Sequence, residues 1–387
     1  MKATRAAAFY AAASVAAGGL HYLFQLWAVT QLNSKEFGEL TSWIAYFSIT
    51  LTLGAFAQYG ANFFPASAKT LKRLSWGAIV LAALSMTSPY VLGTGGGGVK
   101  VAIIGVALGV MFSWFSGQAQ AQLAFVVMGV GIFLTGITKF FFAGASFPVQ
   151  QASIELAWAV ALCYSPALIW MAMAMILFAD KWTPTSARRR NLARGLGATA
   201  ILSFSSVFIP QMDIVAVHNT QTAELVGEFS RISLLYKAVF FGFLIFAQWL
   251  LPHQLGHQTT SYQFVKWIGQ SRWRVLLTSA AMGALTFICS LTLGVALNPA
   301  LKDQILWIFL SCVNMVFLTN LFFAIQISCV QEVLLRPFLI SLFLICELLL
   351  SMVLQQPITQ YLETVIVLNF IAWLVLVRNP QPQMSPT

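Results

Sequence analysis

Long apolar runs, each closed by charges, Gly or Pro, recur along the chain at residues 6–31, 41–65, 75–95, 101–120, 122–143, 153–178, 195–217, 229–252, 273–297, 304–330, 334–354 and 359–377. Each is close to the roughly 20 residues with which a helix crosses a bilayer. In hydrocarbon every backbone N–H and C=O needs an internal partner, and a closed barrel would show shorter alternating stretches, so the pattern predicts helices throughout. The expected fold class is all-α, a polytopic membrane protein of about twelve transmembrane helices. The faintest boundary, between the fourth and fifth, is marked only by Gln118, Gln120 and Gln122.

Composition agrees with the pattern. Hydrophobic residues make up 59 % of the 387 and charged residues 8 %, with a mean hydropathy of +0.81; a soluble domain carries about 25 % charge. The net charge of +10 is unevenly placed. With the N-terminus in the cytoplasm, most cations, among them Lys2, Arg5, Lys69, Lys72, Arg73 and Arg188–Arg190, fall on that side. Only Lys35, Lys100, Lys139, Arg231, Lys237 and Lys302 lie outside or within spans. The positive-inside rule then predicts a multi-pass protein of the cytoplasmic (inner) membrane with both termini cytoplasmic. Trp43, Trp76, Trp182, Trp249, Trp273 and Trp307 near span ends suit an interfacial aromatic belt. The N-terminal apolar run continues to about residue 31, past a secretory signal's h-region of about 7–15 residues, and reads as an uncleaved first span.

The basic stretch 181–194 separates six spans from six, giving an N-terminal six-helix lobe at 1–180, a C-terminal one at 195–378 and a cytoplasmic tail at 379–387. A hinge is expected at the basic stretch. Both lobes would enter the membrane in the same sense, as parallel repeats do. Gln25–Val29 followed by Glu36-Phe37-Gly38-Glu39 is similar to Asp213–Val217 followed by Glu224-Leu225-Val226-Gly227-Glu228-Phe229.

Several chemistries lack their residues. Cys163, Cys289, Cys312, Cys329 and Cys346 all sit in apolar runs, as packing residues rather than disulfides or zinc ligands. His253 and His257 are spaced like metal ligands, but Pro252 and Gly256 disfavour a helix there, so no metal site is predicted. Gly95–Gly98 reads as a short external turn. There is no phosphate-binding Gly-rich loop, no His-Glu-x-x-His and no room for a soluble catalytic domain, so the chain is not expected to be an enzyme or to hold a cofactor. Arg188–Arg190 beside a span are a topology signal, and no nucleic-acid partner is predicted.

Asn33-Ser34-Lys35-Glu36-Phe37-Gly38, Pro210-Gln211-Met212-Asp213 and Gly227-Glu228-Phe229-Ser230, leading to a helix that closes with Leu250-Leu251-Pro252, resemble the polysaccharide flippase family. That family includes the Wzx O-antigen flippases and belongs to the MOP exporter superfamily. The resemblance implies two six-helix lobes forming a V around a central cavity. It implies transport of a polyprenyl-pyrophosphate-linked oligosaccharide from the inner to the outer leaflet, for surface polysaccharide biosynthesis. The partners it implies are the lipid-linked glycan, membrane lipids, and glycan polymerase and assembly proteins. A cation-coupled multidrug exporter of the same superfamily is the alternative, and a polytopic glycan polymerase or ligase a more distant one.

Binding residues are sought among polar groups within spans, each of which costs about 2.5–3.5 kcal/mol there if ionised and so faces protein or water. Ser14, Gly18, His21 and Gln25 share one face of the first span: either a cavity wall, or a close helix contact through Gly18 and Gly19 with His21 bonding across it. Ser230, Ser233, Lys237 and Gln248 share a face of the eighth, where Lys237 is a cavity cation or the ion-pair partner of Asp213. Arg231 lies nearer the surface, and Lys139 is within reach of Glu155. His21, Gln25, Lys237, Arg231 and Lys139 are therefore the candidate substrate-binding residues. Asp213, after the kinking Pro210, and Glu347 are the candidate coupling groups that exchange a proton.

Overall fold

A computed structural model describes residues 2–92, 97–145, 151–181, 192–254, 272–289, 291–292, 305–330, 334–354 and 358–377. The regular elements are α1 (Lys2–Gln31), α2 (Ser34–Thr50), α3 (Thr52–Phe63), α4 (Ala68–Leu92), α5 (Gly97–Ala121), α6 (Phe125–Ala143), α7 (Ala152–Leu162) and α8 (Tyr164–Phe178) in the N-terminal half. The C-terminal half has α9 (Leu192–Ser203), α10 (Ile209–Thr220), α11 (Ala223–Gln254), α12 (Arg272–Cys289), α13 (Ile305–Val330), α14 (Leu335–Leu354) and α15 (Ile358–Val377). With α2–α3, α7–α8 and α9–α10 as broken spans, these helices occupy all twelve apolar segments. Seven of the described segments are individually long and apolar enough to cross a membrane, and the α9–α10 pair, bent by 43°, makes an eighth. Most of the expected hinge at 181–194, the tail 379–387, Trp182, His257 and Lys302 lie outside the described residues.

Hydropathy locates the greasy stretch of a helix, whereas capping locates its start. The second segment begins at Ser34, seven residues before its apolar run, because Asn33 caps it: Asn33 Oδ1 accepts from the Glu36 N–H at 2.9 Å while Asn33 N–H donates to Glu36 Oε2 at 3.2 Å. Similarly, α11 begins at Ala223 rather than 229. Lys237 is thus fourteen residues along it, about 21 Å at 1.5 Å per residue, and deeper than the apolar run alone suggests. Gly97 and Gly98 lie in the first turn of α5 rather than in an external turn, and Gly95 and Gly96 lie outside the described residues.

The fourth and fifth spans part at 122–124, where Leu123 adopts a positive φ of 56°. The glutamines before that turn are buried interhelical links. Gln118 Oε1 accepts from the Ala66 N–H at 2.9 Å, and Gln120 Oε1 accepts from Asn62 Nδ2 at 3.0 Å. Two expectations fail by orientation. Gly18 and Gly19 are exposed, with nothing within 4 Å of a notional Cβ. The close approach of α1 to α6 is instead made by Gly129, against Phe9 and Ala13, and by Gly136, against Ala17 and Leu20. Cys163, Cys312 and Cys329 are buried as expected, but Cys346 is exposed.

Each half has its own core. One buried cluster, from Tyr10 to Ala179, belongs entirely to the N-terminal half. A second joins Tyr59 and Phe63 of α3 to Ala198, Ile201 and Leu202 of α9 and continues through the C-terminal half. A third joins Ala45 of α2 to α10, Phe229 and α15. The halves therefore meet along α2 and α3, with α1 also packing against α11. Between α9 and α10 the chain passes through a five-residue π-helix, Phe204–Phe208. Pro210 then offers no N–H to the Ser206 carbonyl, and the wider turn plus the missing bond account for a bend that falls beside Asp213.

Candidate functional site

In the C-terminal half the bend brings Asp213 against α11. Lys237 Nζ donates to Asp213 Oδ1 at 2.8 Å and to Gln211 Oε1 at 3.3 Å. Asp213 Oδ1 also accepts from the Ile214 N–H at 2.7 Å, and Ser233 Oγ donates to Oδ2 at 3.5 Å. Both charged side chains are 6 % exposed. This is the ion pair that was one of the two sequence readings, and three-residue then four-residue spacing puts Ser230, Ser233 and Lys237 on one stripe of α11.

Asp213 borders a small open-sided cleft, lined also by Ile209, Asn314, Leu344, Tyr361 and Asn369. Asn369 Nδ2 donates to Asn314 Oδ1 at 2.7 Å. Both asparagines are buried, and Asn369 Oδ1 has no partner among the described residues. Glu347 lies one turn along α14 from Leu344; its side chain is outside the described residues.

The N-terminal half gathers a different set. His21 Nε2 is 3.2 Å from Thr135 Oγ1 of α6, a bond across the α1–α6 contact. Its Nδ1 is buried without a partner among the described residues, and so is Gln25 Oε1 one turn further on. The Lys139 ammonium stands 5.6 Å from the centroid of the Phe24 ring, and Lys139 follows Thr135, the partner of His21, by one turn of α6. The expected reach from Lys139 to Glu155 is not made, for no such ion pair exists between these two described residues. Lys139 is the last turn but one of α6 and points across to α1, whereas Glu155 starts α7.

The candidate binding residues thus fall into groups. His21, Gln25 and Lys139 are together, Lys237 and Asp213 are together, and the cleft beside Asp213 is lined by neither His21 nor Lys237. Arg231 belongs to neither group. It is half-buried at the junction of the halves, its guanidinium 5.9 Å from the Phe37 ring centroid and its Nε without a partner among the described residues.

No protein-family model matches the sequence, and no curated protein matches it. Solved structures do match the fold along nearly its whole length. An outward-facing multidrug resistance MATE family transporter of the MOP superfamily aligns with TM-score 0.61 and 11 % identity, over 97 % of this chain and 94 % of its own. A MATE protein in complex with MaD5 aligns with TM-score 0.62, 12 % identity and the same coverages. The eukaryotic MATE transporter AtDTX14 gives 0.60 and 15 %, again over 97 % and 94 %. The fold is MATE-like.

Within this MATE-like bundle, sequence reasoning missed Asn314, Asn369, Tyr361, Thr135 and Gln211. A signal was present: Asn314 and Asn369 each interrupt an otherwise apolar run. Weighing only ionisable groups passed over neutral side chains that bind helices together or face a cleft.

Proposed function

We propose that this multi-pass membrane protein is a transporter of an anionic amphiphile, a polyprenyl-pyrophosphate-linked oligosaccharide, moved between leaflets for surface polysaccharide biosynthesis. One observation carries the reading: Lys139, half-buried within a span, has no acidic partner among the described residues, whereas Asp213 is matched by Lys237. An unmatched cation inside a bilayer attracts a phosphate that would otherwise meet a prohibitive desolvation cost. His21 Nδ1 and Gln25 Oε1 lie beside it with hydrogen-bonding capacity to spare, which suits the hydroxyls of a sugar. The MATE-like fold supports transport rather than catalysis. Inner-membrane placement, cytoplasmic termini and partnership with polymerase and assembly proteins belong to the same proposal.

The second reading is a multidrug exporter, favoured by the description of one structural neighbour as a multidrug resistance transporter and by the acid in the C-terminal cleft. A single assay separates the two. Purified protein in vesicles is offered a fluorescent lipid-linked oligosaccharide or a cationic dye, with Lys139→Ala alongside. We expect the glycolipid to flip and Lys139→Ala to slow it at least tenfold with the protein level unchanged. Dye efflux without glycolipid movement would replace this reading with the second.

A further inference from the structure

Helix α4 has two faces of opposite kind. Leu71, Ser75, Ala78, Ala82 and Ser85 are buried and recur every three to four residues, and Ser85 Oγ lies 2.8 Å from Ser165 Oγ of α8. That face seats the helix on its own half. From the start of the helix inward, the other face carries Lys69, Arg73, Trp76, Val80 and Leu84, all exposed, Trp76 by 63 %, Val80 by 56 % and Leu84 by 64 %. At 3.6 residues per turn these five stay within about 80° of arc, directly opposite the buried face. The segment Ala68–Val91 is long and apolar enough to cross a membrane, so the stripe meets lipid.

We propose that this stripe binds an anionic phospholipid, with the phosphate on Lys69 and Arg73 and the acyl chains along Val80 and Leu84. The acid nearby is already taken, because Asp180 pairs with Lys72 on the flank of the stripe. Lys69 and Arg73 form no ion pair among the described residues, and a guanidinium offers a phosphate two parallel donors. Trp76 stands about 10 Å along the axis from Lys69, where an indole suits the boundary between headgroups and hydrocarbon. Gly77 beside it has nothing within 4 Å of a notional Cβ, which leaves the flank open to a chain. A free phosphate would meet the cations but leave the apolar stripe unused, and a zwitterionic lipid would bring its own ammonium against them. Unanswered positive charge running into exposed apolar surface therefore selects an acidic amphiphile. The contacts between the halves involve α1, α2 and α3 rather than α4, so the lipid site stands apart from the groups around Lys139 and Asp213.

The test needs no transport, so its result is independent of what the protein moves. Native mass spectrometry of the purified full chain, titrated with phosphatidylglycerol, reads the affinity. Wild-type protein should hold phosphatidylglycerol at least tenfold more tightly than phosphatidylcholine with the same chains, and less tightly as ionic strength rises. A cation near an anionic lipid counts for about fivefold, so Lys69→Gln/Arg73→Gln should weaken phosphatidylglycerol at least tenfold, and Trp76→Leu by less. Lys100→Gln/Arg336→Gln, which removes two exposed cations at other places, should stay within twofold. An unchanged melting midpoint of every variant in lipid-free detergent keeps folding apart from binding. Undiminished binding by the Lys69/Arg73 variant, equal retention of the two lipids, or full displacement by an equal concentration of inorganic phosphate overturns the site. Tighter retention of a polyprenyl phosphate than of phosphatidylglycerol overturns it too, since the stripe would then hold cargo rather than a resident lipid.

Discussion

Lys237 in the C-terminal half has a carboxylate and an amide oxygen at its ammonium; Lys139 in the N-terminal half has an aromatic ring. The first group is complete, because each charge is answered inside the protein. The second leaves Gln25 Oε1 and His21 Nδ1 without partners, and a cation without an acid, among the described residues. Two lysines of the same chain, both within spans, thus differ in what their removal should disturb. A matched pair is part of the fold, whereas an unmatched group is available to a ligand.

That contrast is broken most directly at the pair. Lys237→Ala leaves Asp213 buried and unanswered, which should destabilise the protein by about 3–5 kcal/mol, while Lys237→Met combined with Asp213→Leu should recover most of the loss. Unfolding free energies from a mixed-detergent titration of the three variants measure this; equal losses in single and double variants would make the pair irrelevant to stability. A smaller effect is expected at the α1–α6 contact. His21→Ala removes one neutral interhelical hydrogen bond, worth about 0.6 kcal/mol by membrane-protein precedent, and the same titration should find it well below the Lys237 effect. The least is expected where ions meet in water. Lys72 and Asp180 are paired at the bundle end with side chains 37 % and 70 % exposed. Lys72→Ala should cost between about 0 and 0.5 kcal/mol and nothing at high salt, because solvent screens such pairs.

The twelve segments were legible because the bilayer imposes a length and an internally bonded backbone on each of them. The Asp213–Lys237 pair was legible as an option because two opposite charges in adjoining spans lie at comparable depth. Orientation was not. A helix that is apolar on all sides carries little record of which face meets protein, so Gly18 and Gly19 looked like contact residues while Gly129 and Gly136 make the contact. The unmade Lys139–Glu155 link failed for the same reason, since proximity in sequence says nothing about which neighbour a helix turns toward. Helix starts at Ser34 and Ala223 were hidden because charged first turns extend beyond the greasy stretch that hydropathy detects.

The five-residue π-helix ahead of Pro210 gives the seventh span some slack. A wide turn there can migrate or tighten by exchanging one backbone partner for the next, so α10 can rotate by a fraction of a turn without α9 moving from its seat on α3. Asp213 would swing with α10, making this short irregular stretch a swivel between an anchored stem and a mobile tip.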